Sequence, residues 1–315
     1  MTPAPRTLEE AGQATGEFRA GGTDLQQRLR SGVSSGPPVD LGLVPDLDRV
    51  DWDGGAAQIG AMVSIATLAG DTRLASAYPG LAQAAASLAT PQIRAAGTLG
   101  GNLLQRNRCW YYRHPAIECL KKGGADCPAR GGNHLLGVCF DLGPCVAPHP
   151  STLGMALLAY DAEVTDGSGG ARPVAELYGD GSDGRHDHQL GEGEILTAVR
   201  MPPALEAERA AYFRATSREL AEWPLVEALA RLVVSGETIE FAAVAVGGVA
   251  PVPLRLERVE QALTGQPASS ETVEGAISLA TSGASPLPMS RYKLDLLPGT
   301  VRETLERALE RPGAG

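Results

Sequence analysis

Five cysteines, Cys109, Cys119, Cys127, Cys139 and Cys145, all fall between Thr90 and Ser151. The same stretch opens with Thr90-Pro91-Gln92-Ile93-Arg94 and Thr98-Leu99-Gly100-Gly101-Asn102, a small-residue turn whose main chain could approach a phosphate. Thiolates are soft ligands for zinc or for iron–sulfur clusters, so the stretch pairs an anion-binding turn with a metal-ligand set. The spacing C-x9-C-x7-C-x11-C-x5-C lacks the C-x2-C knuckles of structural zinc. A cluster of four irons tolerates wide spacing because its attachment points are separated. Spacing alone leaves zinc, an iron–sulfur cluster and buried thiols open.

A second glycine turn lies upstream. Glu17 to Arg30 reads as a strand, a tight turn at Gly21-Gly22, and a helix that Thr23 or Asp24 could cap. Glycine removes side-chain bulk there and lets main-chain N–H groups reach an anion, although an ordinary strand-to-helix turn has the same pattern.

At 315 residues the chain is long enough for two or three packed units. Its formal charge of -10 argues against a general nucleic-acid surface, which needs a basic stripe. The N-terminal residues lack the apolar core of a secretory signal, and no run reaches the length of a membrane span. Five cysteines in one stretch do not form a secreted disulfide framework, so ligation by reduced thiolates is the better starting point.

The elements that must position these groups follow from local pattern. Thr7 to Ala11 starts a short helix that Gly12 and Gly16 break, and short strands alternate with turns from Val39 to Ile65, including Asp53-Gly54-Gly55. Ser64 caps a helix; alanine-rich Leu81 to Leu88 is another, ended by Thr90-Pro91. Leu153 to Ala159 is a helix with a narrow apolar face, and Glu163 to Thr165 and Glu194 to Arg200 are strands. Gly179, Gly181 and Gly184 spell G-x-G-x-x-G, but Asp180 and Asp183 would repel a pyrophosphate, so this is read as a surface loop. His186 and His188 belong to the same solvated acidic loop. Pro202-Pro203 and Glu206 to Glu208 make a linker, followed by strands at Ala211 to Arg214, Leu225 to Val234 and Ile239 to Val246. Helices at Leu254 to Leu263, Thr272 to Thr281 and Thr300 to Leu309 complete a separate α+β unit.

Ala20-Gly21-Gly22-Thr23-Asp24-Leu25, Ile59-Gly60-Ala61, Thr98-Leu99-Gly100-Gly101-Asn102-Leu103 and Ala159-Tyr160-Asp161-Ala162-Glu163-Val164 together resemble the FAD-binding subunit of the xanthine oxidase (molybdenum hydroxylase) family. Arg108 to Arg113, Gly131-Gly132-Asn133-His134 and Cys145 to Ser151 narrow the resemblance to bacterial periplasmic-type aldehyde oxidoreductases, whose flavin subunit also carries a 4Fe-4S cluster. The resemblance implies an α+β architecture: a two-part FAD-binding domain of the PCMH or vanillyl-alcohol-oxidase-like type over residues 1–205, a 4Fe-4S loop insertion at about 103–150, and a smaller α+β C-terminal domain of the CO dehydrogenase flavoprotein type over 206–315.

Carried over by position, the resemblance places FAD contacts on Arg19, Ala20, Gly21, Gly22, Thr23, Asp24 and Leu25, on Thr98, Gly100, Gly101 and Asn102, and on Leu196 and Arg214. Asp161 is a further candidate for a flavin or adenosine contact, and Trp223 for packing near the ring. It places the 4Fe-4S ligands on Cys109, Cys119, Cys127 and Cys145, leaving Cys139 as a small buried hydrophobe. Many relatives have Ser-Asp-Leu where this chain has Ser151-Thr152-Leu153, so a carboxylate is missing from that position, and the family's usual first strand is reduced or absent.

The implied function is an electron-transfer subunit without catalytic residues of its own. FAD accepts electrons from a 2Fe-2S subunit and passes them to an external acceptor, while a molybdenum-cofactor subunit oxidises the aldehyde to a carboxylic acid. Its compartment is either the periplasm, reached with a signal-bearing partner, or the cytoplasm. The alternatives are the medium subunit of a xanthine dehydrogenase or 4-hydroxybenzoyl-CoA reductase, and a zinc-stabilised binding module.

Overall fold

Short extended segments assemble into three sheets in the computed structural model, which describes residues 4–218 and 221–310. A parallel pair, β1 (Phe18–Arg19) and β2 (Val39–Asp40), flanks the first glycine turn. Next, β3 (Val50–Asp53), β4 (Ala56–Gly60), β5 (Glu163–Asp166), β6 (Ala171–Pro173) and β7 (Leu196–Met201) form an antiparallel sheet in the order β3-β4-β7-β5-β6. Gly54 and Gly55 adopt φ of 54° and 88°, the left-handed pair that a tight hairpin between β3 and β4 requires. The third sheet joins β8 (Glu208–Ala215), β9 (Val226–Ser235), β10 (Thr238–Gly247) and β11 (Leu254–Arg255) in the antiparallel order β11-β10-β9-β8.

The five-stranded sheet shares its core with the helices Ile65–Gly70, Pro79–Ala86 and Thr152–Ala159, through Ile59, Leu68, Leu81, Leu153, Leu157 and Val199. The helix Thr152–Ala159 has almost every residue buried rather than one narrow face. The sheet, the other helices and the C-terminal unit enclose it, and its run Leu153-Gly154-Met155-Ala156-Leu157 suits that all-round burial.

Strand β9 joins the two units. Its side chains alternate, so Glu227, Leu229 and Arg231 lie on one face and Ala228, Ala230 and Leu232 on the other. Leu229 belongs to the core of the N-terminal unit, and Ala228, Ala230 and Leu232 pack with Leu297, Val301 and Leu305 of the helix Lys293–Glu310. Arg231 pairs with Glu208 at 2.8 Å, donates to the Ala159 carbonyl and lies 3.9 Å from the Tyr160 ring. Glu208 is therefore a buried ion-pair partner, 2 % exposed, not a residue of a solvated linker.

Other local expectations are revised by packing. Gly12 lies inside the helix Leu8–Gln13, capped by Thr7. Pro91 opens a helix, Pro91–Ala96, with Thr90 as its N-cap, while the preceding helix already stops at Ala86. Leu254-Arg255 is strand, and the expected helix begins only at Glu257.

The Glu208–Arg231 pair yields a stability test. Glu208→Gln leaves a buried guanidinium uncompensated and is expected to cost about 3–5 kcal/mol in denaturant unfolding. The double replacement Glu208→Leu/Arg231→Met removes both charges and is expected to cost less than the single one.

Candidate functional site

The first loop, Ala20 to Leu25, connects β1 to the helix Leu25–Arg30. A Cβ on Gly21 would lie 1.7 Å from the Ala96 carbonyl oxygen, so only glycine permits the loop to rest on the Pro91–Ala96 helix. Gly22 has φ of 71°. Among the described residues the N–H groups of Gly22, Thr23 and Asp24 donate to no partner, which leaves them available to an anion.

The second loop works differently. Thr98 caps the helix Leu99–Leu103, accepting from Gly101 N at 3.1 Å, and Leu99 N and Gly100 N donate to the carbonyls of Val63 and Ala61. Its glycines serve close packing: a Cβ on Gly100 would lie 2.9 Å from Ala61 Cβ. The expectation that both loops present free N–H groups holds for the first and fails at Gly100 and Gly101. Asn102 Oδ1 accepts from Ser151 Oγ and Leu153 N, pinning this loop to the helix Thr152–Ala159.

Between the loops lies a cleft with two adjoining lobes. The inner one, about 750 Å³, is lined by Ala20 to Leu25, Thr98, Gly100, Gly101 and Leu196. The outer one, about 1050 Å³, is lined by Thr98, Gly101, Asn102, Thr152, Arg214 and Trp223, and both lobes share Thr23, Asp24 and Gln105. Arg214 donates to the Ser87 carbonyl, yet its Nε is buried without a partner; Arg19 Nε is likewise orphaned, although Arg19 pairs with Asp40 at 2.8 Å. Unpaired cationic donors beside free backbone N–H groups fit a long anionic cofactor such as FAD. Asp161 does not join them: it sits at a left-handed turn, φ 51°, and pairs with Arg255, away from the residues lining either lobe.

Asp24 occupies the N-cap position of its helix but does not cap it. Its carboxylate instead accepts from Arg113 at 2.7 Å, Arg108 at 2.9 Å and Arg28 at 3.1 Å, and from Arg106 N at 3.2 Å. Burial raises the cost of the carboxylate, but the three guanidiniums outweigh it and hold the group below its ordinary range. An aspartate in an anion-binding loop is thereby neutralised, and the loop is tied to the cysteine stretch.

Cys109, Cys119, Cys127 and Cys145 line one small cavity, whereas Cys139 lies apart in the C-terminal core beside Lys293. Cys109, Cys119 and Cys127 occupy the N-cap positions of the short helical turns Trp110–Arg113, Leu120–Lys122 and Pro128–Gly131. Backbone N–H groups of Tyr111 and Tyr112 point at Cys109, and those of Ala129, Arg130 and Val146 at Cys127. A hydrogen bond with the Cys145 thiol holds Cys127 below the usual thiol range and pushes Cys145 up. Burial raises the Cys139 thiol to about 11, in keeping with an inert hydrophobe. No group of three or more ligands among the described residues converges as a single-ion site would. Asn107 Nδ2, buried and without a partner, lines the same cavity.

The loop after the helix Val174–Tyr178 clamps this cavity from outside. Gly184 packs against Pro144 and Leu120, and Asp187, 6 % exposed, pairs with Arg106 at 2.6 Å and Lys121 at 2.9 Å. The reading of this segment as a solvated acidic loop holds for His186 and fails for Asp187, whose partners lie about 80 and 66 residues upstream. Sequence inspection missed Asp187 and the arginines 106, 108 and 113; their clustering around Cys109 was the available signal.

Comparison with known proteins decides the family. Residues 4–204 match the FAD binding domain in molybdopterin dehydrogenase, and residues 211–308 match the CO dehydrogenase flavoprotein C-terminal domain. The chain belongs to the FAD-binding medium subunits of the molybdenum hydroxylase family. It is 30 % identical to the aldehyde oxidoreductase FAD-binding subunit PaoB of Escherichia coli, over 98 % of this chain and 96 % of that one. It is 25 % identical to the carbon monoxide dehydrogenase medium chain of Hydrogenophaga pseudoflava, over 97 % and 94 %. The fold is shared with quinoline 2-oxidoreductase from Pseudomonas putida 86, at a TM-score of 0.76 and 22 % identity over 98 % and 95 % of the chains. The matched FAD binding domain spans both loops and the inner lobe between them.

The clamp carries a pH signature. His149 accepts from Ser151 N and donates to the Asp187 carbonyl, and burial lowers its pKa from 6.5 to about 4. Because the unfolded chain binds that proton more tightly, the contribution is complete above about pH 6.5 and is lost as pH falls toward 4. Melting temperature is expected to drop across this window, and His149→Gln to flatten the drop; an unchanged profile in the variant would refute the assignment.

Proposed function

We propose that this chain is the FAD- and 4Fe-4S-carrying electron-transfer subunit of a molybdenum-dependent aldehyde oxidoreductase. It takes electrons from a 2Fe-2S subunit and delivers them to an external acceptor, while a molybdenum-cofactor subunit converts aldehyde to carboxylic acid. The observation that carries the reading is one cavity walled by four cysteines, three of them at helical N-caps, beside a cleft of FAD-binding type. Thiolates spread around a wall suit a cluster with separated corners better than a single tetrahedral ion. The 30 % identity to an aldehyde oxidoreductase subunit over nearly the whole chain favours aldehyde chemistry in the complex.

The bound flavin would supply reversible one- and two-electron chemistry. The chain's own residues do the holding. Free N–H groups of Gly22, Thr23 and Asp24 bind the phosphates, Leu196 lines the inner lobe, and Arg214 offers an unpaired cationic donor in the outer one. Arg214 favours negative charge nearby and so a reduced, anionic ring. Cys109, Cys119, Cys127 and Cys145 hold the cluster, with Asn107 Nδ2 as a donor toward it. We take residues 1–205 as the cofactor-bearing unit and 206–315 as the unit that closes the outer lobe.

Anaerobically purified protein is expected to hold about four irons per FAD, as one 4Fe-4S cluster requires. Cys119→Ser is expected to lower iron while sparing FAD, and Cys139→Ser to spare both, measured by metal analysis and flavin absorption. Zinc without iron would overturn the cluster assignment.

A further inference from the structure

Two compartments that share Arg108, Pro150, Trp223 and Pro224 are also linked through a buried carboxyl. Glu227, 1 % exposed, lines a cavity of about 870 Å³ that opens past the exposed rings of Trp110 and Trp223. Thr152 lines the outer lobe of the FAD cleft. Between them Thr152 Oγ1 donates to Glu227 Oε2 at 2.8 Å, and Tyr212 Oη donates to the same oxygen at 2.7 Å. No salt bridge neutralises Glu227 among the described residues, in contrast to Glu208 on the neighbouring strand β8, which is matched by Arg231.

We propose that Glu227 is a positioning residue that relays protons, through Thr152, between the 870 Å³ cavity and the flavin site. The proposal rests on FAD occupying the cleft. Two-electron reduction of a flavin takes up a proton at the ring. The electrons arrive from the iron–sulfur partner, and this path brings the proton. With the Thr152 hydroxyl turned from its rest position, where it donates to Glu227 Oε2, a proton on that carboxyl oxygen passes to Thr152 Oγ1 as the threonine's own hydroxyl proton leaves for the cleft. A water in the cavity then returns a proton to the carboxylate and is itself reprotonated from bulk solvent, so one O–H bond breaks and one forms at each station. Reoxidation runs the path in reverse.

The surroundings suit a proton-holding acid. Burial raises the Glu227 carboxyl above its ordinary range, against the hydrogen bonds from Tyr212 and Thr152 and the more distant charge of Arg214. The other titratable or charged groups around the cavity are Arg108, Cys109, Tyr111, His134, His149 and Lys293. His149 is held neutral by burial, and Lys293 Nζ is engaged with the Gly248 carbonyl at 2.6 Å.

The test uses the FAD-loaded complex reduced by dithionite in stopped flow, followed at the flavin absorption across pH in H₂O and D₂O. Glu227→Gln and Thr152→Val are expected to slow the proton-coupled phase about 10- to 100-fold, flatten its pH profile and remove its solvent isotope effect. Glu227→Asp and Thr152→Ser are expected to restore all three. The reduced-minus-oxidised infrared spectrum is expected to show a protonated-carboxyl band that Glu227→Gln removes. If Glu227→Gln fails to retain FAD, the Thr152→Val and Thr152→Ser pair decides by the same readouts. Wild-type rates, profiles and isotope effects in Thr152→Val overturn the relay alone, whereas a wild-type complex without FAD overturns the functional reading and the relay with it.

Discussion

A single carboxylate, Asp24, with 12 % of its side chain exposed, ties together the functional half of this protein. It receives Arg28 from its own helix and Arg108 and Arg113 from either side of Cys109, so an anion-binding loop and a cysteine-lined wall share one electrostatic centre. Buried charge is costly unless paired and hydrogen-bonded, and here three guanidiniums and a backbone N–H meet the carboxylate. Asp187 repeats the device on the far side of the cysteine stretch with Arg106 and Lys121. The stretch between Arg106 and Lys121 contains little regular structure, and these two acids take the place of a sheet or helix bundle in fixing it.

Strand β9 performs the equivalent task for the rest of the chain. One face supplies small apolar residues to the C-terminal core, and the other supplies Glu227, Leu229 and Arg231 to the N-terminal unit. Polar residues on a buried strand face are expensive unless satisfied, so each has a dedicated partner: Thr152 and Tyr212 for Glu227, Glu208 and the Ala159 carbonyl for Arg231. The two units therefore meet through specific polar bonds within an apolar interface, which fixes their register as well as their proximity.

Much of this arrangement was legible in the sequence where the cause is local. The helix start at Thr7, the cap at Ser64, the Gly54-Gly55 turn and the long strands of the last third all follow from neighbouring residues. The failures share a different cause. Gly100 looks like an anion-loop glycine but is required by Ala61, and Glu208 and Asp187 look like solvated acids until their distant arginines arrive. Asp161, part of a recognisable segment, turns out to serve Arg255 at a surface turn. Steric and ionic partners far along the chain leave no periodic trace, so only the folded geometry discloses them.

The four cysteines that share one cavity have one more consequence, which concerns the chemistry of the thiols themselves. The Cys145 thiol and nearby backbone N–H groups hold Cys127 below the usual thiol range, while burial raises Cys109, so Cys127 is the thiol of this cavity held toward its nucleophilic form. A sulfenic acid formed on Cys127 would meet the hydrogen-bonded thiol of Cys145 and close to a disulfide with loss of water, joining two walls of the cavity.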